Sequence, residues 1–160
     1  MKNIIILFLL FPCLLSAQTQ TETNAIMIPI TKLFTGMNLG DSAMVHKAFT
    51  SDAIMASITN KDGKVTVRKE MSILGFLNAV GSPHKEPWSE PIWDARIEMD
   101  GDFAQVWTSY AFYAGKTFSH CGVDVFHLIK ENGNWKIFYL VDTRHKEGCQ
   151  VPKAVSDQFK

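Results

Sequence analysis

The chain has little of what several kinds of protein require. It has three cysteines, Cys13, Cys121 and Cys149, and no Cys and His set at the short spacings of a zinc site. Its 16 basic and 16 acidic side chains cancel, and no run of five or more like charges occurs, so nucleic acid and anionic membranes are not expected partners. No apolar run approaches the ~18 to 20 residues needed to span a bilayer. Internal repeats are absent, and low complexity is confined to the QTQTET stretch at 18–23. There is no phosphate-binding glycine loop and no paired nucleophile and base. Neither a metal nor another cofactor is expected.

What is present begins with Lys2, an apolar run from Ile4 to Phe11, and the small pair Ser16-Ala17 before polar residues. This is the layout of a secretory signal peptide. Residues 1–17 are read as that leader, 18–25 as a linker, 26–149 as one domain and 150–160 as a polar C-terminal tail. The product is expected to be exported, periplasmic or secreted. Lipoprotein attachment through Cys13 is the alternative, disfavoured by Pro12 before it. Cys121 and Cys149 survive processing, and in an oxidising compartment the pair reads first as one disulfide.

Ile26, Ile30, Leu33, Phe34 and Met37 recur at helical spacing, with Pro29 near the expected first turn and Gly40 closing the segment. Asp41 caps a second short helix carrying Met44, Val45, Ala48 and Phe49. A short strand over 53–58 and a turn at Lys61-Asp62-Gly63 follow. Thr66 is expected to open a third helix carrying Met71, Leu74, Leu77 and Val80, ended by Gly81. Residues 81–91, GSPHKEPWSEP, contain three prolines and read as a loop, with Trp88 suggesting a lid over a cleft as one option and a surface connector as the other. From Ile92 onward, four apolar runs are separated by Asp100-Gly101, Gly115-Lys116 and Asn132-Gly133, which are hairpin turn signals. Helices followed by a meander make an α+β domain.

Tight turns set the register, and register sets which side chains share a face. Regular pairing turns Trp93, Thr108, Tyr110, Cys121, Val123, Val125, His127, Phe138, Leu140, Asp142 and Arg144 inward. It turns Trp107, His120, Asp124, Phe126 and Tyr139 outward. Any bulge would flip the side chains beyond it. In this register SHCGVDVFH, 119–127, is no metal site, because its candidate ligands lie on opposite faces or about 13 Å apart. Gly122 marks a bulge or a close backbone approach. The polar residues of the inner face gather at one end. Trp93, Thr108, Tyr110, Asp142 and Arg144 are therefore the candidate ligand-binding set, and Asp142, His127 and Tyr110 the candidate catalytic groups. An ion pair of Asp142 with Arg144, and a hydrogen-bonded core role for His127, are the purely structural alternatives. Cys149 lies close enough beyond Arg144 for a Cys121–Cys149 bridge.

The helices, the short strand and the meander ending in NGNWKIFYLVD resemble the nuclear transport factor 2-like superfamily, particularly its SnoaL-like and ketosteroid-isomerase-like branches. NLGDSAMVHKAFTSDAIM is similar to that superfamily's second-helix signature, and DTRHKEGC to small exported bacterial members. The resemblance implies a cone-shaped curved antiparallel sheet wrapped around three N-terminal helices, a cystatin-like α+β barrel. It also implies a pocket inside and homodimers formed through the outer sheet face. Ketosteroid isomerase needs a carboxylate base and two oxyanion donors. By this resemblance the base position falls on Ser57, the tyrosine near Leu33 or Phe34, and the acid donor on Val125, so all three roles are empty. The expected function is binding of a small apolar or carbonyl-bearing ligand. The alternatives are a cofactor-free lyase or isomerase using Asp142 or His127 as base, with Tyr110 and Arg144 polarising a carbonyl, and an interaction module using Trp107, Phe126 and Tyr139.

Overall fold

A computed structural model describes residues 12–70 and 72–160, with side chains from residue 20 onward. Most of the expected leader, the side chain of Cys13, and Met71 lie outside the described residues. The first helix, α1, runs over Pro12–Leu39. Residues 18–25 are thus helix rather than linker, and they are anchored: Glu22 accepts from Lys130 Nζ at 2.9 Å and from Trp135 Nε1 at 3.2 Å. Pro29 consequently lies mid-helix, where it removes one backbone donor. The expected apolar stripe is the buried one, with Ile26, Ile30, Leu33 and Met37 all in the core. Each such side chain contributes roughly 1.5 to 3 kcal/mol of burial. Helix α2, Ser42–Ala48, is capped by Asp41, whose Oδ1 accepts from Met44 N at 2.8 Å.

The expected short strand is longer, β1 at Phe49–Lys61, and the expected third helix starts late. Lys64–Glu70 forms β2, which pairs antiparallel with β1 across a turn in which Asp62 and Gly63 both have positive φ. The consecutive β-branched Val65, Thr66 and Val67 favour strand, and helical spacing from Thr66 does not overcome that preference. Helix α3 covers only Leu74–Gly81. Within the expected loop, Trp88–Ser89 forms a two-residue strand, β3.

The meander is β4 (Ile92–Asp100), β5 (Phe103–Ala114), β6 (Thr117–Glu131) and β7 (Asn134–Arg144). The sheet order is β2-β1-β7-β6-β5-β3, with β4 also pairing with β5. The β1–β7 pairing is parallel, so the curved sheet is mixed rather than wholly antiparallel, and it is not closed. The α+β class and the arrangement of helices against a curved sheet are as expected.

Three irregularities reassign the faces. Between β5 and β6 the register shifts at Ser119, so Phe112 pairs with His120, Tyr110 with Gly122 and Thr108 with Asp124. Between β6 and β7 it shifts at Phe138, so His127 pairs with Tyr139 while Leu128 pairs with Ile137. One extra residue in each ladder moves the side chains of β6 to the face opposite the expected one, and the second shift returns β7 beyond Phe138 to the face expected of it. His120, Asp124, Phe126 and Leu128 therefore face inward. Cys121, Val123, Val125 and His127 face outward. A third shift between Trp93 and Arg96, where Asp94 has φ 55°, turns Trp93 outward as well.

Gly122 makes a close backbone approach to β7. A Cβ there would lie 1.8 Å from the carbonyl oxygen of Thr143 on β7. The Cys121–Cys149 disulfide is present on the outer face, where Cys121 bridges to His145. The pair is the expected one, and its face is the opposite one. It ties down the chain after β7, so the polar tail is docked. Helix α4, Lys153–Ser156, leads to Phe159, which stacks on Tyr113 with ring centroids 3.8 Å apart. Among the described residues no helix is long and apolar enough to cross a membrane.

Candidate functional site

Helices α1 and α3 lie over the concave face of the sheet and leave a cavity of about 500 Å³. That is a size typical of small-molecule sites. Its apolar wall comes from Phe34 of α1, Phe76 of α3, Trp88 of β3, Phe112 of β5 and Leu140 of β7. Trp88 owes its place to the short β3 pairing with Ala114 on β5, which brings its ring edge-on to Phe112 at 5.9 Å and onto His84 at 3.9 Å. The end of the proline-rich segment, at Trp88 and Glu90, is therefore a wall of the cavity, while residues 81–83 and 85–87 are exposed on the surface.

The polar end is built by four strands and the segment joining β3 to β4. Asp142 is the hub. Its Oδ1 accepts from Ser57 Oγ on β1 at 2.5 Å, and its Oδ2 from Arg144 Nε at 2.6 Å and from Tyr110 O–H at 3.2 Å. The single proton of that hydroxyl is shared with the Thr143 carbonyl, 2.9 Å away. Burial, reinforced by the charge of Asp142, raises the Tyr110 phenol well above its ordinary value, so it stays a donor.

Beside this hub stand two further acids, Glu90 and Asp124. Asp124 is 2% exposed, and its Oδ2 has no hydrogen-bond donor among the described residues. Its neighbour is the Glu90 carboxyl, which lines the same end of the cavity. Burial, then the negative charge of Asp142, pushes Glu90 up to about 8, while burial, then Glu90 itself, raises Asp124 well above the carboxylate range. His120 closes this end, its ring stacked on Phe112 at 5.1 Å. Burial, then the Arg144 guanidinium, lowers it to about 4, so it is neutral at pH 7. At the rim, Arg68 and Glu70 of β2 form an exposed ion pair.

A domain of this outline, with helices over a curved mixed sheet and an inner pocket, invites comparison with known proteins. The family described as putative lumazine-binding matches residues 21–140. The chain belongs to that family. Its fold is shared by solved proteins described as nuclear transport factor 2-like. One of them is a protein of unknown function from Shewanella baltica OS155, 24% identical, covering 80% of this chain and 97% of its own, with a TM-score of 0.62. Another is a putative dehydratase from Streptomyces avermitilis, 14% identical, covering 81% of this chain and 99% of its own, with a TM-score of 0.63. A third, from Novosphingobium aromaticivorans, is described as having a cystatin-like fold; it is 11% identical, covers 94% of this chain and 98% of its own, and has a TM-score of 0.66. At these identities the likeness concerns the fold. No curated protein matches the sequence significantly.

Within this lumazine-binding-like fold the expected site residues divide. Asp142 and Arg144 line the cavity as expected. Tyr110 is buried and reaches the site through its hydroxyl. Thr108 is fully buried, and its hydroxyl donates to the Trp93 carbonyl at 2.8 Å, so it is not a free ligand contact. Trp93 lies on the outer face beside the disulfide. His127 is also outside, among Phe103, Phe138 and Tyr139, with its Nε2 3.3 Å from Gln105 Oε1. It is neither a core histidine nor a candidate base for this cavity.

Glu90, Asp124 and His120 were missed, for two reasons. Asp124 and His120 depend on the Ser119 shift, which no turn signal announces. Glu90 follows Trp88 in a segment whose prolines hide any strand periodicity. Phe126, expected in an outer aromatic patch, is fully buried, while Trp107 remains exposed with Arg96 over its ring. Val125, on which the resemblance placed the acid donor, faces outward, and its neighbour Asp124 is turned inward by the shift.

Proposed function

We propose that this is an exported domain that binds a small, mostly apolar molecule in the cavity between α1, α3 and the sheet. The observation that carries the reading is a largely aromatic, ligand-sized cavity whose far end holds the carboxyl groups of Glu90 and Asp124, with Asp124 Oδ2 lacking a hydrogen-bond partner among the described residues. Burying unpaired polar groups against apolar walls is costly, and a bound polar group would relieve that cost. The carbonyl ligand expected from Tyr110 and Arg144 is less well served, because the tyrosine hydroxyl and Arg144 Nε are engaged by Asp142. Export is supported by the leader-like N-terminus and by the disulfide, which belongs in an oxidising compartment. Homodimerisation is supported by an outer sheet face where Phe103 and Trp107 are 42% and 39% exposed.

The test is calorimetric titration with 2-naphthol, an apolar body carrying one hydroxyl. Saturable one-site binding is expected. Ala79→Trp, which fills the cavity from α3, should abolish it while the circular dichroism spectrum is unchanged. Absence of binding to the wild type, or equal binding to the filled variant, would sink the reading.

A second reading is cofactor-free proton transfer. It is supported by Glu90, whose value near 8 suits a group that gains and loses a proton at neutral pH. Glu90 replaces Asp142, whose oxygens are taken by three donors, and His127, which faces away. Exchange of the α-protons of 2-tetralone with D2O, abolished in Glu90→Gln, is the expected signature; a rate no greater than that of buffer removes this reading.

A further inference from the structure

The charges lining the cavity do not balance. Glu90, Asp124 and Asp142 are acidic, while Arg144 is the only cation at the polar end among the described residues, and its Nε is paired with Asp142 at 2.6 Å. The rim pair Arg68 and Glu70 neutralises itself. Two carboxyl groups are therefore left without a cation, one of them 2% exposed with an oxygen lacking any donor among the described residues. Beside them along the same cavity stand Phe34, Phe76, Trp88 and Phe112, whose ring faces attract positive charge.

Building on the reading of this cavity as a ligand site, we infer that its ligand is an organic cation, an ammonium group on an apolar or aromatic body, held by the Glu90–Asp124 carboxyl pair. An ammonium group supplies what the pair lacks, positive charge and N–H donors, and the aromatic wall accepts the rest of the molecule. An anionic ligand would find no cation at this end, among the described residues, that is not already paired with Asp142. A carbonyl would find Ser57, Tyr110 and Arg144 Nε already donating to Asp142. In the empty cavity the acids keep protons instead, as their raised values require. Cation binding then exchanges a proton for the ligand, and affinity rises with pH. The groups facing the pair are Asp142 and Arg144 on β7, Tyr110 on β5, His120 on β6 and Ser57 on β1. Of these His120 is lowered to about 4 and does not change charge near neutrality.

The chain's formal net charge is zero, so a preference for cations has to be local. The experiment is calorimetry at pH 7 with three probes on one scaffold, 2-phenylethylamine, 2-phenylethanol and phenylacetate. Titrations in buffers of different ionisation heat count the protons released. The amine should bind at least ~10-fold tighter than the alcohol, and phenylacetate weakest of the three. Amine affinity should rise about 10-fold from pH 6 to pH 7, with about one proton released per amine bound. Asp124→Asn should lose at least ~10-fold in amine affinity while its circular dichroism spectrum stays that of the wild type, which reports that the variant is folded. Alcohol binding as tight as amine binding overturns the cation and leaves the cavity reading standing. Binding of none of the probes overturns both. Amine binding that survives Asp124→Asn with no proton release overturns the assignment to this pair.

Discussion

Burying two acids side by side should leave its mark on stability as a function of pH. Glu90 moves from an ordinary value of 4.5 to about 8, through burial and then the charge of Asp142. An acid raised on folding holds a proton that the unfolded chain has lost, so its contribution is complete below about pH 4.5 and disappears as pH climbs through 8. His120 works in the other direction. Lowered from 6.5 to about 4, it leaves the unfolded chain holding the extra proton in that window, so stability there rises with pH. The two slopes offset each other up to about pH 6.5, and above it the acid pair acts alone. From pH 6.5 to 8, Glu90 contributes up to ~1.4 kcal/mol per pH unit, or about 2 kcal/mol, reduced by any water in the cavity. For a domain of this size that is a fall in Tm of about 6 °C. Urea and thermal melts of wild type and Glu90→Gln at pH 6.5 and pH 8 measure it. Glutamine keeps the shape and offers an N–H to Asp124. The variant should therefore be the more stable protein at pH 8, with the gap closing towards pH 6.5. Parallel pH profiles for the two proteins would refute the buried acid pair as described.

Three other outcomes follow from particular contacts. Cys149→Ser opens a cross-link between residues 28 apart, so reduced stability of about 3 to 4 kcal/mol is expected by denaturant melts, together with freed near-ultraviolet signal from the Tyr113–Phe159 stack. Gly122→Ala drives a methyl group to 1.8 Å from the Thr143 carbonyl oxygen, which requires β6 and β7 to separate; a loss exceeding about 3 kcal/mol, or failure to fold in a solubility assay, is expected. Trp107→Ala on the outer face should shift the protein towards monomer in sedimentation velocity and leave 2-naphthol binding unchanged, and an unaltered sedimentation coefficient would remove Trp107 from the interface.

Much of this molecule is written locally. The α1 stripe of Ile26, Ile30, Leu33 and Met37, the Asp41 cap and the turns at Asp62-Gly63, Gly115 and Asn132-Gly133 are legible because each depends on neighbours within one helical turn or one hairpin. Composition and spacing were likewise enough for the α+β class and for the Cys121–Cys149 pair. Where local signals compete, the reading fails: Thr66 follows the spacing of a helix, yet it lies between two valines that favour a strand, and the strand prevails once β1 is there to pair with it.

Which residues meet inside the cavity is a different kind of fact. Side chains alternate along a strand, so a single extra residue at Ser119 exchanges His127 for His120 and brings Asp124 in from the surface. That extra residue has no signature of its own, because a bulge arises from how two strands and their backs are packed. Asp142 and Arg144 were found only because a second shift at Phe138 restored their face. Glu90 comes from a proline-rich segment that two residues of pairing hold against β5. The sequence by itself determined the core stripe of α1, the α2 cap, the four strands of the meander, their turns and the disulfide partners, all of which are set by short-range preference or by the chemistry of two side chains. Only the tertiary structure decided that Glu90, Asp124 and Asp142 converge, since register is the one property of a sheet to which each residue contributes and no short stretch specifies.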